Sequence, residues 1–380
     1  MKDMIINEVP CTTWNWMKIN KDSVCIEAKL SEALPLIQNE EGFCISNVQN
    51  QHKDVPVIYS GICSKANPKA CDNRRTDGTF IEKSEQNPFI YNPNGNHPVS
   101  KLIEQAVPCP QFIKIEGKKE KPLILNFNFE KPSACSQFIY AEKDSESTVI
   151  FVYKGKGETS LVQTKVFAQD NAKIHIIKVQ MLENNTLHLD DTGIFCNDDA
   201  CVQFIQIELG GLHVDSGLNV TLNGYKSTFN SNAAYLCQNN QYLDMNHIVN
   251  HYGKKTECNM KVNGTLKDSA CKTYRGTIDF KNGCCGAKGN EMEESLVLSP
   301  SVVNKSLPNI LCDEEDVEGE HGATIGRLSN DILFYMQSRG ISTKEAEKLM
   351  ARAKIQACAD LIPDENVKNQ ISEFMDTLNI

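Results

Sequence analysis

Hydrophobic and polar positions change rhythm twice along this chain. Residues 1–104 hold no sustained period and read as a mixed, loop-rich region. Within it Trp14 and Trp16 alternate as on a strand, which predicts one face packing both indoles and anchoring this arm. Segment 31–37 predicts a short helix, started by Ser31 and interrupted at Pro35. Segment 87–98, NPFIYNPNGNHP, is dense in turn-forming residues and marks a boundary.

From about residue 105 the rhythm becomes that of strands. Short apolar runs recur at 123–129, 148–153, 161–167, 173–181, 201–209, 218–222, 242–249, 258–262, 273–280 and 296–298. Several alternate, as in LILNFNF from Leu123. The connectors are mostly too short for a crossover helix, which disfavours a doubly wound α/β sheet. A sandwich, a barrel and a solenoid remain open. No strict repeat is visible, which excludes a regular leucine-rich or hexapeptide solenoid. The pairs Asn223-Gly224, Asn263-Gly264 and Asn282-Gly283 are hairpin signals that keep an antiparallel arrangement in play.

The rhythm changes again near residue 326. Ser329 is placed to accept first-turn amides, Ile332, Leu333 and Met336 follow at helical spacing, and Gly340 supplies a stop. Ser342-Thr343-Lys344-Glu345 has the form of a capping box. Ala346, Leu349, Met350, Ala353, Ala357 and Leu361 then predict one apolar side of a helix ended by Pro363. Val367, Ile371, Phe374, Met375 and Leu378 predict the stripe of a last helix. The expected organisation is an N-terminal region over 1–104, a β core over 105–325 and a small helical domain over 326–380.

Composition narrows the function classes. Hydrophobic residues make up 40% and charged residues 23%, as in ordinary globular proteins. The net charge of -10 argues against nucleic acid or an anionic membrane as partner. No apolar run reaches the roughly 18–20 residues of a membrane span. The opening MKDMIINEVP lacks a signal core, so a cytoplasmic protein is expected. The 16 cysteines are scattered from Cys11 to Cys358 without a CxxC pair, which points to buried thiols rather than disulfides or a zinc ribbon.

Catalytic motifs are missing. There is no P-loop, so no nucleotide is expected on this chain, and no GxSxG or HExxH. Gly210-Gly211 and Gly155-Lys156-Gly157 lack the strand-loop-helix setting of a phosphate cradle. The acidic pairs Asp190-Asp191 and Asp198-Asp199 read as solvated turn residues. What stands out is His321, in a small-residue run after the acidic, polar segment that starts at Cys312 and just before the helix signal. A single histidine is commonly structural, yet neutral imidazole is also a ligand for iron and zinc.

The stretch EHGATIGRLSNDILFYMQSRGIS around His321 resembles the C-terminal signature of the SufB/SufD family, scaffolds of iron–sulfur cluster assembly. Gly322, after the histidine, is similar to the SufD branch. YRGTIDF from Tyr274 and ESLVLS from Glu294 resemble the family's last core strands, and PCTTWNWMKIN from Pro10 resembles the opening of short SufD proteins. The resemblance implies a right-handed parallel β-helix, mainly β, with the mixed N-terminal region and the C-terminal helices as appendages. It implies a non-enzymatic scaffold that pairs edge to edge with a SufB-type paralogue, or with itself, and docks a SufC-type ABC ATPase through its helices.

It further implies that His321 lies at a subunit interface beside a transient Fe–S cluster or iron. The chain departs from the pattern where Glu293 stands at the position of SufB's assembly cysteine, and where Gly319 stands at a cysteine found in some SufD proteins. Cys312, Cys284 and Cys285 are the candidate substitutes, since thiolates are the preferred cluster ligands. Adjacent cysteines on a strand point apart, so at most one of Cys284 and Cys285 could face a metal. Phe334, Tyr335, Arg339 and Gly340 are the candidates for docking a partner, or for packing the helix on the core. The alternatives are a structural homodimer that ligates no iron and a stand-alone β-helical enzyme acting on carbohydrate.

Overall fold

The structure, a computed structural model, describes residues 4–11, 18–47 and 98–378. Five short strands come first: β1 (Met4–Ile6), β2 (Asp22–Val24), β3 (Ser31–Glu32), β4 (Leu36–Gln38) and β5 (Cys44–Asn47). Helix α1 (Pro98–Ala106) leads into a long series of strands. These are β6 (Gln111–Ile115), β7 (Leu123–Asn128), β8 (Ser133–Ala141), β9 (Glu146–Gly155), β10 (Thr159–Ala168), β11 (Lys173–Leu182), β12 (Leu187–Cys196) and β13 (Cys201–Glu208). They continue as β14 (His213–Leu222), β15 (Thr228–Cys237), β16 (Tyr242–His251), β17 (Glu257–Leu266), β18 (Cys271–Phe280), β19 (Ala287–Val297), β20 (Val303–Cys312) and β21 (Val317–Gly326). Three helices close the chain: α2 (Asn330–Ser338), α3 (Thr343–Ala359) and α4 (Glu365–Thr377).

Even-numbered strands from β6 to β20 pair in parallel in one sheet, and odd-numbered strands from β7 to β21 in a second. Each strand therefore finds its partner one coil later. Parallel pairing needs a long crossover, and here the crossover is the facing strand itself. The result is a parallel β-solenoid of about eight turns.

A repeat is present at the corners rather than in the strands. Asp144, Asn171, Asp199, Lys226 and Lys255 all take a left-handed conformation, with φ between 53° and 61°, and Gly286 follows at 74°. Each donates its amide to a carbonyl of the next corner, as in Asn171 to Asp198 at 2.8 Å and Asp199 to Tyr225 at 2.8 Å. Asn and Asp tolerate this conformation, while Lys does so only under tertiary constraint.

Alternation along each strand sorts residues into three packing zones. Inward side chains such as Phe151, Phe204, Val249 and Phe280 fill the bore. Outward residues of the odd sheet, including Ile150, Ile177 and Ile205, pack under α3 and α4. Outward residues of the even sheet lie under the N-terminal arm and α1, with Ile6, Val24, Ile103 and Leu161 in one cluster. Arg275 fixes the arm by donating to the Ile19 carbonyl and to Asp244, which also accepts from Asn7 at 2.7 Å.

The two ends of the solenoid differ. At the N-terminal end β4 pairs antiparallel with β7, and β5 with β6, so the first coil's edges are covered. At the C-terminal end β20 and β21 have no further strand partner among the described residues.

Several expectations need correction. Segment 31–37 is not a helix: it contributes β3 and the start of β4, because pairing with β8 and β7 outweighs a weak capping signal. Asn263-Gly264 is no turn but lies inside β17, where a side chain at Gly264 would collide with the Tyr235 ring. Asp190 and Asp191 are buried in β12, not solvated. The glycine-rich run around His321 is regular strand, β21. The C-terminal helices α3 and α4 bury their apolar faces on the odd sheet.

The capping box and the Ser329 cap form as expected. The α3 stripe is rotated, however: Ala346, Ala351, Ile355 and Cys358 are buried, while Leu349 and Leu361 are exposed. Trp14, Trp16 and segment 87–97 lie outside the described residues.

Corner stacking generates a test. A Cβ at Gly253 would sit 2.1 Å from the Gly224 carbonyl oxygen of the preceding coil. Gly253→Ala is expected to destabilise the fold by about 1–3 kcal/mol through overpacking, measured by urea unfolding. An unchanged midpoint would contradict the stacking.

Candidate functional site

The open end is built from the last coil. Register places Asn304, Ser306, Pro308, Ile310 and Cys312 of β20 over inward residues Lys272, Tyr274, Gly276, Ile278 and Phe280 of β18. Likewise Val317, Gly319, His321, Ala323 and Ile325 of β21 lie over Ala287, Gly289, Glu291, Glu293 and Ser295 of β19. His321 thus occupies a bore-facing position directly over Glu291. It is exposed, and among the described residues no coil stacks on top of it.

Below it the bore changes character. The early coils are filled by aliphatic and aromatic side chains. The later coils carry a connected polar file. Tyr235 Oη lies 2.8 Å from Ser295 Oγ, which donates to Glu293 Oε1 at 3.0 Å. Glu293 pairs with Lys272, whose ammonium also donates to Asn304 Oδ1 at 3.1 Å on the last coil. Lys272 and Glu293 are both buried. Burial pulls the Lys272 pKa down, against the attraction of Glu293. Burial also pushes the Glu291 carboxyl up to about 7.

Deeper in, Lys178 donates to Asp190 at 2.5 Å and to Thr192 at 2.6 Å. Beside them Glu208 is pushed up to about 8 by burial and by the Asp190 charge. Along this file the structure offers buried charge and hydrogen-bonding capacity leading to the open end.

The other candidate ligands do not converge on His321. Cys312 ends β20 and is exposed, its thiol donating to the Glu314 carbonyl at 3.0 Å. Cys285 is exposed at the neighbouring corner, donating to Asp316 Oδ2 at 2.7 Å. That carboxylate pushes the Cys285 pKa up, which disfavours the thiolate. Cys284 points the other way and is sealed in the apolar core. His321 lies four residues along β21 from the corner, about 13 Å at the usual rise of a strand. The site is therefore one exposed imidazole at the mouth of the bore, with two exposed thiols at its rim.

Helix α2 adds an apolar surface. None of its residues is buried, and Ile332, Phe334 and Tyr335 are exposed, Phe334 by 74%. The Arg339 guanidinium lies over the Tyr335 ring at 5.4 Å, and Gly340 stops the helix with φ of 83°. Packing of the two aromatics against the solenoid is thereby ruled out in this arrangement.

Sequence reasoning missed the polar file. Its signal was available: in CKTYRGTIDF, Lys272 shares the parity of Ile278 and Phe280, which marks it as inward-facing. The same parity places Glu291 and Glu293 with Ala287.

Two stability tests follow from the file. Glu293→Ala leaves a buried ammonium unpaired and is expected to cost about 3–5 kcal/mol, whereas the double change Lys272→Met, Glu293→Leu is expected to be near neutral; urea unfolding of both variants measures the difference. Glu291, raised from 4.5 to about 7, holds its proton in the folded chain over a range where the unfolded chain has lost it. Its contribution is fully present below about pH 4.5 and falls as pH rises through about 7, with a slope of up to about 1.4 kcal/mol per pH unit. Glu291→Gln is expected to flatten that part of the stability profile, and an unchanged slope would show that the carboxyl ionises normally.

Comparison with known proteins completes the description. Residues 130–354 match the family described as SUF system FeS cluster assembly, SufBD core domain. The chain is 33% identical over 121 residues to the iron-sulfur cluster assembly protein SufD of Bacillus subtilis, covering 32% of this chain and 28% of that protein. It is 24% identical over 204 residues to SufD of Escherichia coli, covering 53% and 48%. It is 21% identical over 317 residues to SufD of Plasmodium berghei, covering 77% and 24%. The chain thus spans about a quarter to a half of the length of these curated relatives.

Proposed function

The chain belongs to the SufBD core family of the SUF iron–sulfur cluster assembly system, as a SufD-family protein, and from that premise we propose that it acts as the SufD-like scaffold subunit of a complex with a SufB-type paralogue and a SufC-type ATPase. The observation that carries this reading is the position of His321: bore-facing, exposed, on a strand whose outer edge has no partner among the described residues. An unpaired strand edge is a template for another chain. A SufB-type subunit adding its own strands to β20 and β21 would cover the imidazole and create an enclosed interface.

In this reading the Fe–S cluster or iron is cargo held at that interface. His321 offers the neutral nitrogen ligand. The partner supplies most thiolates, because Glu293 is committed to Lys272 and Gly319 has no side chain to offer. Cys312 and Cys285 stand at the rim as secondary ligands, whereas Cys284 would require the core to open.

The exposed face of α2, with Phe334 and Tyr335, is the docking surface for the ATPase, and Lys354 of α3 ties that region to Glu294 of β19 at 2.6 Å. Nucleotide chemistry belongs to that partner, and its dimerisation would shift α2 and α3 against the last coils. Among the described residues no helix is long and apolar enough to cross a membrane. In this reading the assembly works in the cytoplasm, and the net charge of -10 disfavours nucleic acid as a partner. A second reading, a structural subunit or homodimer that never touches iron, draws on the separation of His321 from the rim cysteines.

Anaerobic reconstitution with both partners separates the two. His321→Ala is expected to abolish most of the cluster absorption while the complex stays assembled, and Cys312→Ser to reduce it less. Unchanged absorption in His321→Ala would leave only the structural reading. For the ATPase, Phe334→Ala is expected to weaken binding by about 2 kcal/mol, roughly thirtyfold in Kd, read by calorimetry.

A further inference from the structure

A second chemical cluster lies on the outer face of the even sheet, away from the open end. His213 begins β14, and Asp215 follows two residues later on the same outward side. The N-terminal arm brings Asp22, the first residue of β2, against both. Asp22 Oδ2 lies 3.8 Å from His213 Nε2, which lies 3.1 Å from Asp215 Oδ2. One ligand atom from each of the three residues falls within 4.8 Å of the other two.

The atoms converge without satisfying one another. Asp22 Oδ2, His213 Nε2 and both carboxylate oxygens of Asp215 have no aligned hydrogen-bond partner. Asp215 is fully buried, its one ion-pair contact, His213 at 3.1 Å, is not an aligned hydrogen bond, and a buried carboxylate with unfilled lone pairs is costly. The other oxygen of Asp22 accepts the Ser23 amide at 2.7 Å, which turns Oδ2 toward the imidazole. The His213 ring also packs on Tyr242, with centroids 4.6 Å apart, which fixes its plane. Such outer contacts are what orients metal ligands.

We propose that Asp22, His213 and Asp215 bind one divalent first-row transition metal ion that clips the N-terminal arm to the solenoid. One imidazole nitrogen and two carboxylate oxygens suit Mn²⁺, Fe²⁺ or Zn²⁺, and they differ from the thiolates that iron–sulfur clusters prefer. Bonds of about 2.0–2.2 Å place ligands on one ion roughly 3–4 Å apart, close to the spacing found here. The ion would fill the lone pairs that the poorly aligned His213 contact leaves open on the Asp215 carboxylate. It would also cross-link β2 to β14, reinforcing the Arg275 and Asn7 contacts that hold the arm nearby.

The test uses the full chain, stripped with chelator and titrated with Mn²⁺, following the loss of the free-ion signal by electron paramagnetic resonance. Mn²⁺ is chosen because thiolates compete poorly for it. The wild type is expected to bind one equivalent. Asp215→Asn and Asp22→Asn are each expected to weaken binding by about tenfold or more, with unchanged circular dichroism. His321→Ala is expected to bind normally, so this result stands or falls apart from the role proposed for the open end. Mn²⁺ is also expected to slow amide exchange in residues 18–24 of the wild type only. Absence of binding by the wild type would overturn the proposal, as would equal binding by the wild type and both Asp variants, which would mark the ion as adventitious.

Discussion

A stack of parallel coils satisfies its backbone everywhere except at its two ends. Each coil's amides and carbonyls are taken up by the coils before and after it, so the first and last coils must find partners elsewhere. This chain meets the requirement at one end with its own antiparallel strands β4 and β5. At the other end, among the described residues, it does not. The outer edges of β20 and β21 therefore carry backbone groups without a strand partner among the described residues. His321 lies on one of them.

The same end is where the bore becomes polar. A closed solenoid would gain stability from apolar side chains along its whole length. Here Lys272, Glu293, Ser295 and Tyr235 replace them in the last coils, and the chain of contacts reaches Asn304 on the final one. A buried ion pair is weak evidence for stability, because desolvation offsets much of the attraction. Its place next to the open edge fits a role at an interface better than a role in the core. On the outer faces α3 and α4 cover part of the odd sheet and the N-terminal arm with α1 part of the even sheet, while β21 and α2 stay largely exposed.

Much of the fold was legible in the sequence, and the limits have physical causes. Alternation in LILNFNF and the cap signals at Ser329 and Ser342 are local, and local signals survive in the fold. The choice of a solenoid over a sandwich was not local. It depended on which strand each run pairs with, and came only from the family resemblance. Strands such as β12, LHLDDTGIFC, escaped notice because inward polar residues break the apolar pattern. The repeat was hidden because it lives in one left-handed residue per corner, occupied by Asn, Asp, Lys or Gly. His321 could be singled out by resemblance, but its bore-facing aspect follows only from its register with Glu291. The Asp22, His213 and Asp215 cluster joins distant segments and left no trace in spacing.

The most direct measurement of the central claim is amide hydrogen exchange of the chain alone and with its SufB-type partner. Unpaired edge amides exchange quickly, and strand addition protects them. The account predicts that the alternate amides of residues 303–312 and 317–326 that face the open edge pass from fast to slow exchange in the complex, while β6 and β7 remain as they were. Partner binding that leaves both edge strands unprotected and shields another face would contradict it.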